Sequence, residues 1–390
     1  MPGVVKRKYN AENLQICKRL KRPLYCIAEV LPYEYTRDDL LTVFKEYYPI
    51  EWNTLVERSA LLKRKNSFLK RVGKKARYDM TSPEVFFFHI PLVHTILGNG
   101  YKKKHKETYN EKKRHEAIVL LRGKRNHRVS KLKEKIDKCE SRLQKIDPYY
   151  LDILLHLYHR EGNTVQEKME IVLECKKFHT VAICNFFYKL NDSERNDQIR
   201  NIAFHYLQDL GHYVRLRKKF KGKQKSYMTE TAKQNYLPID LSKKIDQDTI
   251  QNKKRFDVFI SHSYADSAIV LKVKDILNHQ HKLCYCDWLS DREFLQRKHA
   301  GEYTEIVLKK RIDQSKSVLF ICTNNSLDNA EIKSCWIKME LEYAESKGKK
   351  IYTLELPQLQ STPKLPDNEI ENWLLGGFEN LPLFSNHTDL

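Results

Sequence analysis

Apolar residues recur three and four positions apart through the first two thirds of the chain, and in short continuous runs through the last third. The first pattern marks helices with one buried face; the second marks strands buried on both faces, with helices between them. Thr36 is placed to cap a helix from Arg37 to about Tyr48 whose Leu40, Leu41, Phe44 and Tyr48 share a face. Asp38 and Asp39 fall in its first turn, where the helix dipole favours acids. Pro83 opens an apolar stretch that runs to Leu97 and is closed by Gly98-Asn99-Gly100. Interrupted by His89, Pro91 and His94, it is too short for a bilayer and reads as a buried helix. Val129, Leu132, Ile136, Cys139, Leu143 and Ile146 make a seam on one long helix, with too few heptads for a coiled coil. After Pro148 three or four more helices are expected, one with Tyr150, Leu151, Leu154 and Leu157 on its face, one spanning Val165 to Cys175, and one opened by Ser193 and Asp197. Residues 220–255 are polar and basic and read as a linker.

From Phe256 the period changes. Phe256–Ile260, Leu283–Cys286, Ser317–Cys322 and Lys350–Leu354 read as strands, separated by helical patterns around Ile269–Leu277, Ile306–Ile312 and Ile332–Ser346. That alternation predicts an α/β domain built on a parallel sheet covered on both faces. Such sheets place function at the carboxyl ends of their strands, where Ser261, His262, Asp287, Asn324 and Asn325 fall. The plan is therefore a mainly helical module over 1–219, a linker over 220–255 and the α/β domain over 256–390. The tail beyond Pro357 reads as a last helix and a strand-like end.

Charge supports two modules. The 71 Lys and Arg against 50 Asp and Glu divide as 55 against 30 in residues 1–255 and 16 against 20 in residues 256–390. A basic helical module suits a nucleic acid, an acidic protein or a membrane surface, and the charge alone does not choose. The cluster over 101–128 interleaves Tyr101, His105 and Tyr109 with its lysines and arginines, which suits backbone and base contacts, but a solvated basic helix face explains it equally. No apolar run follows Lys6, Arg7 and Lys8 as in a signal peptide, so a soluble, cytoplasmic protein with no membrane partner is expected. Nine scattered cysteines without a C-x-x-C pair fit a reducing compartment and give no support to a metal site. The phosphate-loop and H-E-x-x-H motifs are also missing, which argues against a nucleotide-driven motor or a zinc hydrolase.

Asp257-Val258-Phe259-Ile260-Ser261-His262 resembles the opening strand of TIR (Toll/interleukin-1 receptor) domains, and Tyr285-Cys286-Asp287 their second strand with its acidic end. Gly301, followed by Leu308, Ile312 and Ser315, resembles the close of the loop after that strand and the helix beyond it. Trp336 with Glu340 four residues on resembles the tryptophan-to-glutamate step of TIR enzymes, especially prokaryotic immune NADases. The resemblance implies a flavodoxin-like domain over about 255–357. It also implies cleavage of the nicotinamide–ribose bond of NAD+, with Glu340 catalytic and Ser261, His262, Asp287, Trp288 and Trp336 around the substrate. NAD+ is then substrate, with no separate cofactor and no metal; partners are other TIR copies in a homo-oligomer. Gated by the helical module, such an enzyme would serve antiviral defence by depleting NAD+.

Each residue has a plainer reading. Glu340 lies in Lys338-Met339-Glu340-Leu341-Glu342, where an exposed helical glutamate is ordinary. Trp336 can be core, His262 can close a strand rather than act as a base, and Asp287 can cap a loop. A non-catalytic TIR adaptor, or a nucleic-acid-binding module with a signalling TIR domain, are the alternative functions.

Overall fold

The computed structural model describes residues 4–215, 228, 230–232, 236–247, 249–328 and 331–355. These divide into two units, one within Met1–Ile136 and Gly211–Tyr213, the other within Asp137–Leu210 and Val214–Leu390. The division lies at Ile136/Asp137, so the boundary expected near residue 219 falls inside the second unit.

The first unit is helical: α1 (Val4–Ala28), α2 (Arg37–Tyr47), α3 (Pro49–Arg71), α4 (Pro83–Phe88), α5 (Pro91–Leu97), α6 (Asn99–Thr108) and most of α7 (Glu111–Glu140). Thr36 caps α2 in a reciprocal capping box with Asp39, and the helix buries Leu40 and Phe44 as its spacing requires. The single helix expected from Pro83 to Leu97 is two. Pro91 has no N–H to donate and holds Ile90 extended, so the chain stops and restarts there. The seam from Val129 to Ile146 is also divided, because α7 ends at Glu140. Val129 and Leu132 are exposed, while Cys139, Leu143 and Ile146 pack into the core of the second unit. Among the described residues, no helix is long and apolar enough to cross a membrane.

The second unit opens with four helices, where three or four were expected after Pro148: α8 (Leu151–Tyr158), α9 (Val165–Cys175), α10 (Val181–Ser193) and α11 (Asp197–Asp209). Within the stretch read as a linker, α12 (Pro238–Asp246) and α13 (Ile250–Lys253) form, and Leu241 and Ile245 are buried with Phe294 and Val307. Pro238–Asp246 is thus helical, with its apolar residues Leu241 and Ile245 on the buried side.

The α/β part follows: β1 (Phe256–Ser261), α14 (Ser267–His279), β2 (Cys284–Tyr285), α15 (Asp287–Ser290), α16 (Glu302–Asp313), β3 (Ser315–Cys322), a two-stranded hairpin of β4 (Leu327–Asp328) and β5 (Glu331–Ile332), α17 (Cys335–Ser346) and β6 (Lys350–Glu355). The four long-range strands form a parallel sheet in the order β2-β1-β3-β6, with Phe259 opposite Tyr285 and Ile260 opposite Leu319. One sheet face buries Val258, Ile260, Cys284 and Leu319 against Val270, Val273 and Leu277 of α14. The other buries Phe259, Tyr285 and Phe320 in a core shared with Leu308, Ile337 and Leu341 and with α8 to α11. The tail expected to pack as a last helix lies outside the described residues.

The helical part and the sheet of this unit are joined by polar bonds as well as by a common core. Gln144 donates to the Cys284 carbonyl at 2.8 Å and accepts from the Asn278 amide at 2.8 Å. The Asn278 oxygen in turn accepts from the Lys145 N–H at 2.6 Å. The buried Lys274 ammonium donates to the Leu143 carbonyl at 2.6 Å, and the Tyr149 hydroxyl to Asp257 at 2.9 Å. Gln144→Ala removes two bonds from a dry position and is expected to lower the unfolding free energy by about 1–3 kcal/mol. Denaturant titration checks this; a change within about 0.5 kcal/mol, as for an ordinary surface site, would show that the bridge contributes nothing.

Candidate active site

The carboxyl ends of β1 and β2 face the first half of α17. Ser261 ends β1 with no exposed surface, and its hydroxyl donates to Glu340 Oε2 at 2.6 Å. Glu340 sits on the buried face of α17 with Ile337, Leu341 and Ala344. Its neighbour Glu342 points outward beside Lys338 at 3.9 Å. The glutamate pair that looks alike in sequence is thus divided by helical phase: Glu340 is 8% exposed, whereas Glu342 is exposed. Burial pushes its pKa up to about 8, the Ser261 hydrogen bond opposes the rise, and the Asp287 charge adds to it.

His262 is held from both sides. Nδ1 lies 3.0 Å from the Ile260 carbonyl, and the Trp288 indole N–H donates to Nε2 at 2.9 Å. A carbonyl only accepts and an indole N–H only donates, so Nδ1 carries the proton and Nε2 is the acceptor. With that lone pair engaged, His262 positions Trp288 and is not poised as a general base. Asp287 Oδ1 lies 3.9 Å from His262 Nε2, and its side chain is half-exposed. Cys286 Sγ also lies 3.9 Å from Nε2. These three residues could present donor atoms to a metal ion. An ion there would have to displace the indole, and burial drives the Cys286 thiol well away from the thiolate a soft metal needs.

Five of the six expected residues therefore meet in one group. Trp336 shares α17 with Glu340 but stands apart from those hydrogen bonds, half-buried against the core. Asn324 and Asn325 organise the turn after β3: the Asn325 amide donates to Asp266 at 2.7 Å, and the Asn324 carbonyl accepts from Lys333 at 2.8 Å.

The loop from Trp288 to Gly301 is better anchored than its polar sequence suggests. Asp291 is fully buried. It accepts from Arg311 Nε at 2.8 Å, from Arg311 Nη2 at 3.1 Å and from the Tyr285 hydroxyl at 3.0 Å, and the Lys254 ammonium lies 3.8 Å away. Burial works to raise its pKa, but the Arg311 and Lys254 charges outweigh it and hold the carboxyl well below the usual range. Phe294 closes the same loop onto Leu241 and Ile245. This ion cluster escaped the sequence reading, yet one signal was present: Arg311 sits between Leu308 and Ile312 on a helix face that must be buried.

The sequence is similar to known proteins. The family model described as TIR domain matches residues 258–374. A protein of Cytobacillus dafuensis named "Putative cyclic ADP-D-ribose synthase TIR2" is 43% identical over 356 residues, which cover 91% of this chain and 93% of that protein. In Bacillus cereus strain MSX-D12, "Probable 3' cyclic ADP-D-ribose synthase ThsB'" is 29% identical over 150 residues, 38% of this chain and 70% of its own length. No solved structure matches. The first relative matches along the helical part as well as the sheet, and with it this chain belongs to the TIR-domain proteins.

Proposed function

We propose that this chain cleaves the nicotinamide–ribose bond of NAD+ and releases the ADP-ribose part as a cyclic product, with Glu340 as the catalytic carboxylate. The observation that carries the reading is a glutamate buried at the carboxyl end of a TIR sheet, in a chain 43% identical to a protein named as a cyclic ADP-D-ribose synthase.

The chemistry suits a site with one carboxylate. When the C1′–N bond breaks, its electron pair neutralises the departing nicotinamide, so no acid is needed. Positive charge develops on the ribose, as in glycoside cleavage. Glu340, ionised beside that charge, stabilises it and accepts from the ribose hydroxyls. Ser261 orients the carboxylate, while His262, Asp287 and Trp288 form the wall toward which the substrate points. A nucleophilic atom of the same ADP-ribose then bonds to C1′ and sheds a proton, giving a cyclic product; water in its place gives the linear one. NAD+ is the substrate, and no further cofactor enters this scheme. We extend the proposal to the setting: defence through NAD+ consumption in the cytoplasm, with TIR–TIR association and a trigger received by the basic helical unit. The charge asymmetry of the chain supports the last of these.

Incubation of the full chain with NAD+, with and without nucleic acid, followed by mass spectrometry, tests the reading. Nicotinamide should appear with a product one water lighter than ADP-ribose. Product at the mass of ADP-ribose itself would overturn cyclisation, and intact NAD+ under every condition would favour the adaptor alternative.

Glu340→Gln should lower the rate at least about a hundredfold, the scale of losing a charge-stabilising group. The same variant should be more stable than the wild type at pH 8. Glu340 has its folded pKa raised to about 8 from an ordinary 4.5, so its burial costs stability progressively as pH rises through that window. The gain in melting temperature should shrink toward zero as pH falls to about 4.5, the ordinary carboxyl value. A variant that is inactive and also less stable at pH 8 would assign Glu340 a structural role. For the wild type, kcat/KM should rise with pH and level off above about 8, where the free enzyme's Glu340 becomes a carboxylate. A flat profile between pH 6 and 9 would remove Glu340 from the rate-controlling ionisation.

A further inference from the structure

The turn carrying Asp287 and Trp288 is gripped from outside the 258–374 stretch that matches the TIR model. Lys177, just past the end of α9, sends its ammonium to the carbonyl of Ser290, the last residue of α15. The same ammonium donates to Glu174 at 2.8 Å and lies 3.8 Å from Glu293. Glu174 is fixed in turn by the Lys254 ammonium at 2.8 Å and the Tyr150 hydroxyl at 3.1 Å. Burial works to raise the Glu174 pKa, but Lys177 and Lys254 hold it near 2, so Glu174 stays an anion. The Lys177 backbone is anchored as well: its carbonyl accepts from the Gln144 N–H at 2.9 Å. A carbonyl at the end of a helical turn lacks an intrahelical donor and carries the negative end of the local dipole, so a buried cation is a strong ligand for it. From Ser290 the route to the reacting group is two residues long, through Trp288 and its bond to His262, the neighbour of Ser261.

We propose that Lys177 is a positioning residue for NAD+ cleavage, through which the helical part of the second unit holds the Asp287–Ser290 turn against the Ser261–Glu340 pair. This rests on the NAD+-cleaving reading above. Glu174 is the counter-charge that keeps Lys177 aimed, and Lys254 ties the same anion to Asp291. The catalytic wall is therefore set by residues from 144 to 177 as well as by the TIR sheet.

The test uses the full chain as Lys177→Met, Lys177→Arg and Trp288→Phe, with Lys177→Gln in reserve if the methionine variant does not fold. Hydrogen exchange is read over 286–295 and, as a reference, over α14; NAD+ cleavage is read as separate kcat and KM. Lys177→Met should speed exchange over 286–295 about tenfold or more while leaving α14 unchanged, as expected of a local opening. It should lower kcat about tenfold, the scale of a misplaced catalytic wall, with KM altered less than about twofold. Arginine should restore most of the loss, and the kcat effects of Lys177→Met and Trp288→Phe should be non-additive. Unchanged exchange, uniformly faster exchange across the unit, or additive losses would each overturn the proposal. Should the wild type itself cleave no NAD+, the activity reading falls, and the exchange data alone uphold or overturn the grip of Lys177 on the turn.

Discussion

The Asp291 carboxylate has no exposed surface and still carries its charge, because Arg311, Tyr285 and Lys254 surround it. A buried charge is tolerable only when it is paired and its remaining lone pairs are satisfied. Each of those partners belongs to a different part of the unit: Arg311 to α16, Tyr285 to β2, and Lys254 to the turn before β1. The loop after β2 therefore has one low-energy placement, and the turn bearing Asp287 and Trp288 inherits it. Losing Arg311 would remove two of these hydrogen bonds together with the nearest positive charge, and Lys254 at 3.8 Å would remain the second cation beside the carboxylate.

Against that rigid loop, the Ser261–Glu340 pair is unfavourable by design of its surroundings. Among the described residues no basic side chain is bonded to Glu340, and a single hydroxyl only partly opposes the burial that raises its pKa. An arrangement that cost nothing would have paired the carboxylate, as Asp291 is paired. The two buried acids thus differ in their surroundings: Asp291 is neutralised by Arg311 and Lys254, whereas the hydrogen-bond partner of Glu340 among the described residues is the neutral Ser261 hydroxyl.

The helical part and the sheet of the second unit form one folded body. Residues between Asp137 and Leu210 share a hydrophobic core with β1, β2, β3 and α17 and donate polar groups into it, from Gln144 to Lys177. Helix α12 packs on the same loop through Leu241, Ile245 and Phe294. The architecture is thus a TIR sheet set in a helical collar, and the helices before residue 137 make a unit of their own.

Much of this was legible from local pattern. Continuous apolar runs located the strands, Thr36 and Asp39 marked the start of α2, and the residues from Asp257 to Glu340 carried the family resemblance, because strand burial, capping and motif spacing are properties of short stretches of chain. Pro91 was equally legible and was passed over, although its missing N–H alone divides the helix there. What no local pattern could decide was which polar residues enter the interior. Glu340 and Glu342 differ only by helical phase against a sheet that must first form, and Lys177, Glu174 and Asp291 meet across more than a hundred residues of sequence. Charge pairing at that range depends on where the cores bring the backbone, so the sequence determined the elements and the candidate chemistry, and tertiary packing alone chose which charges are buried together.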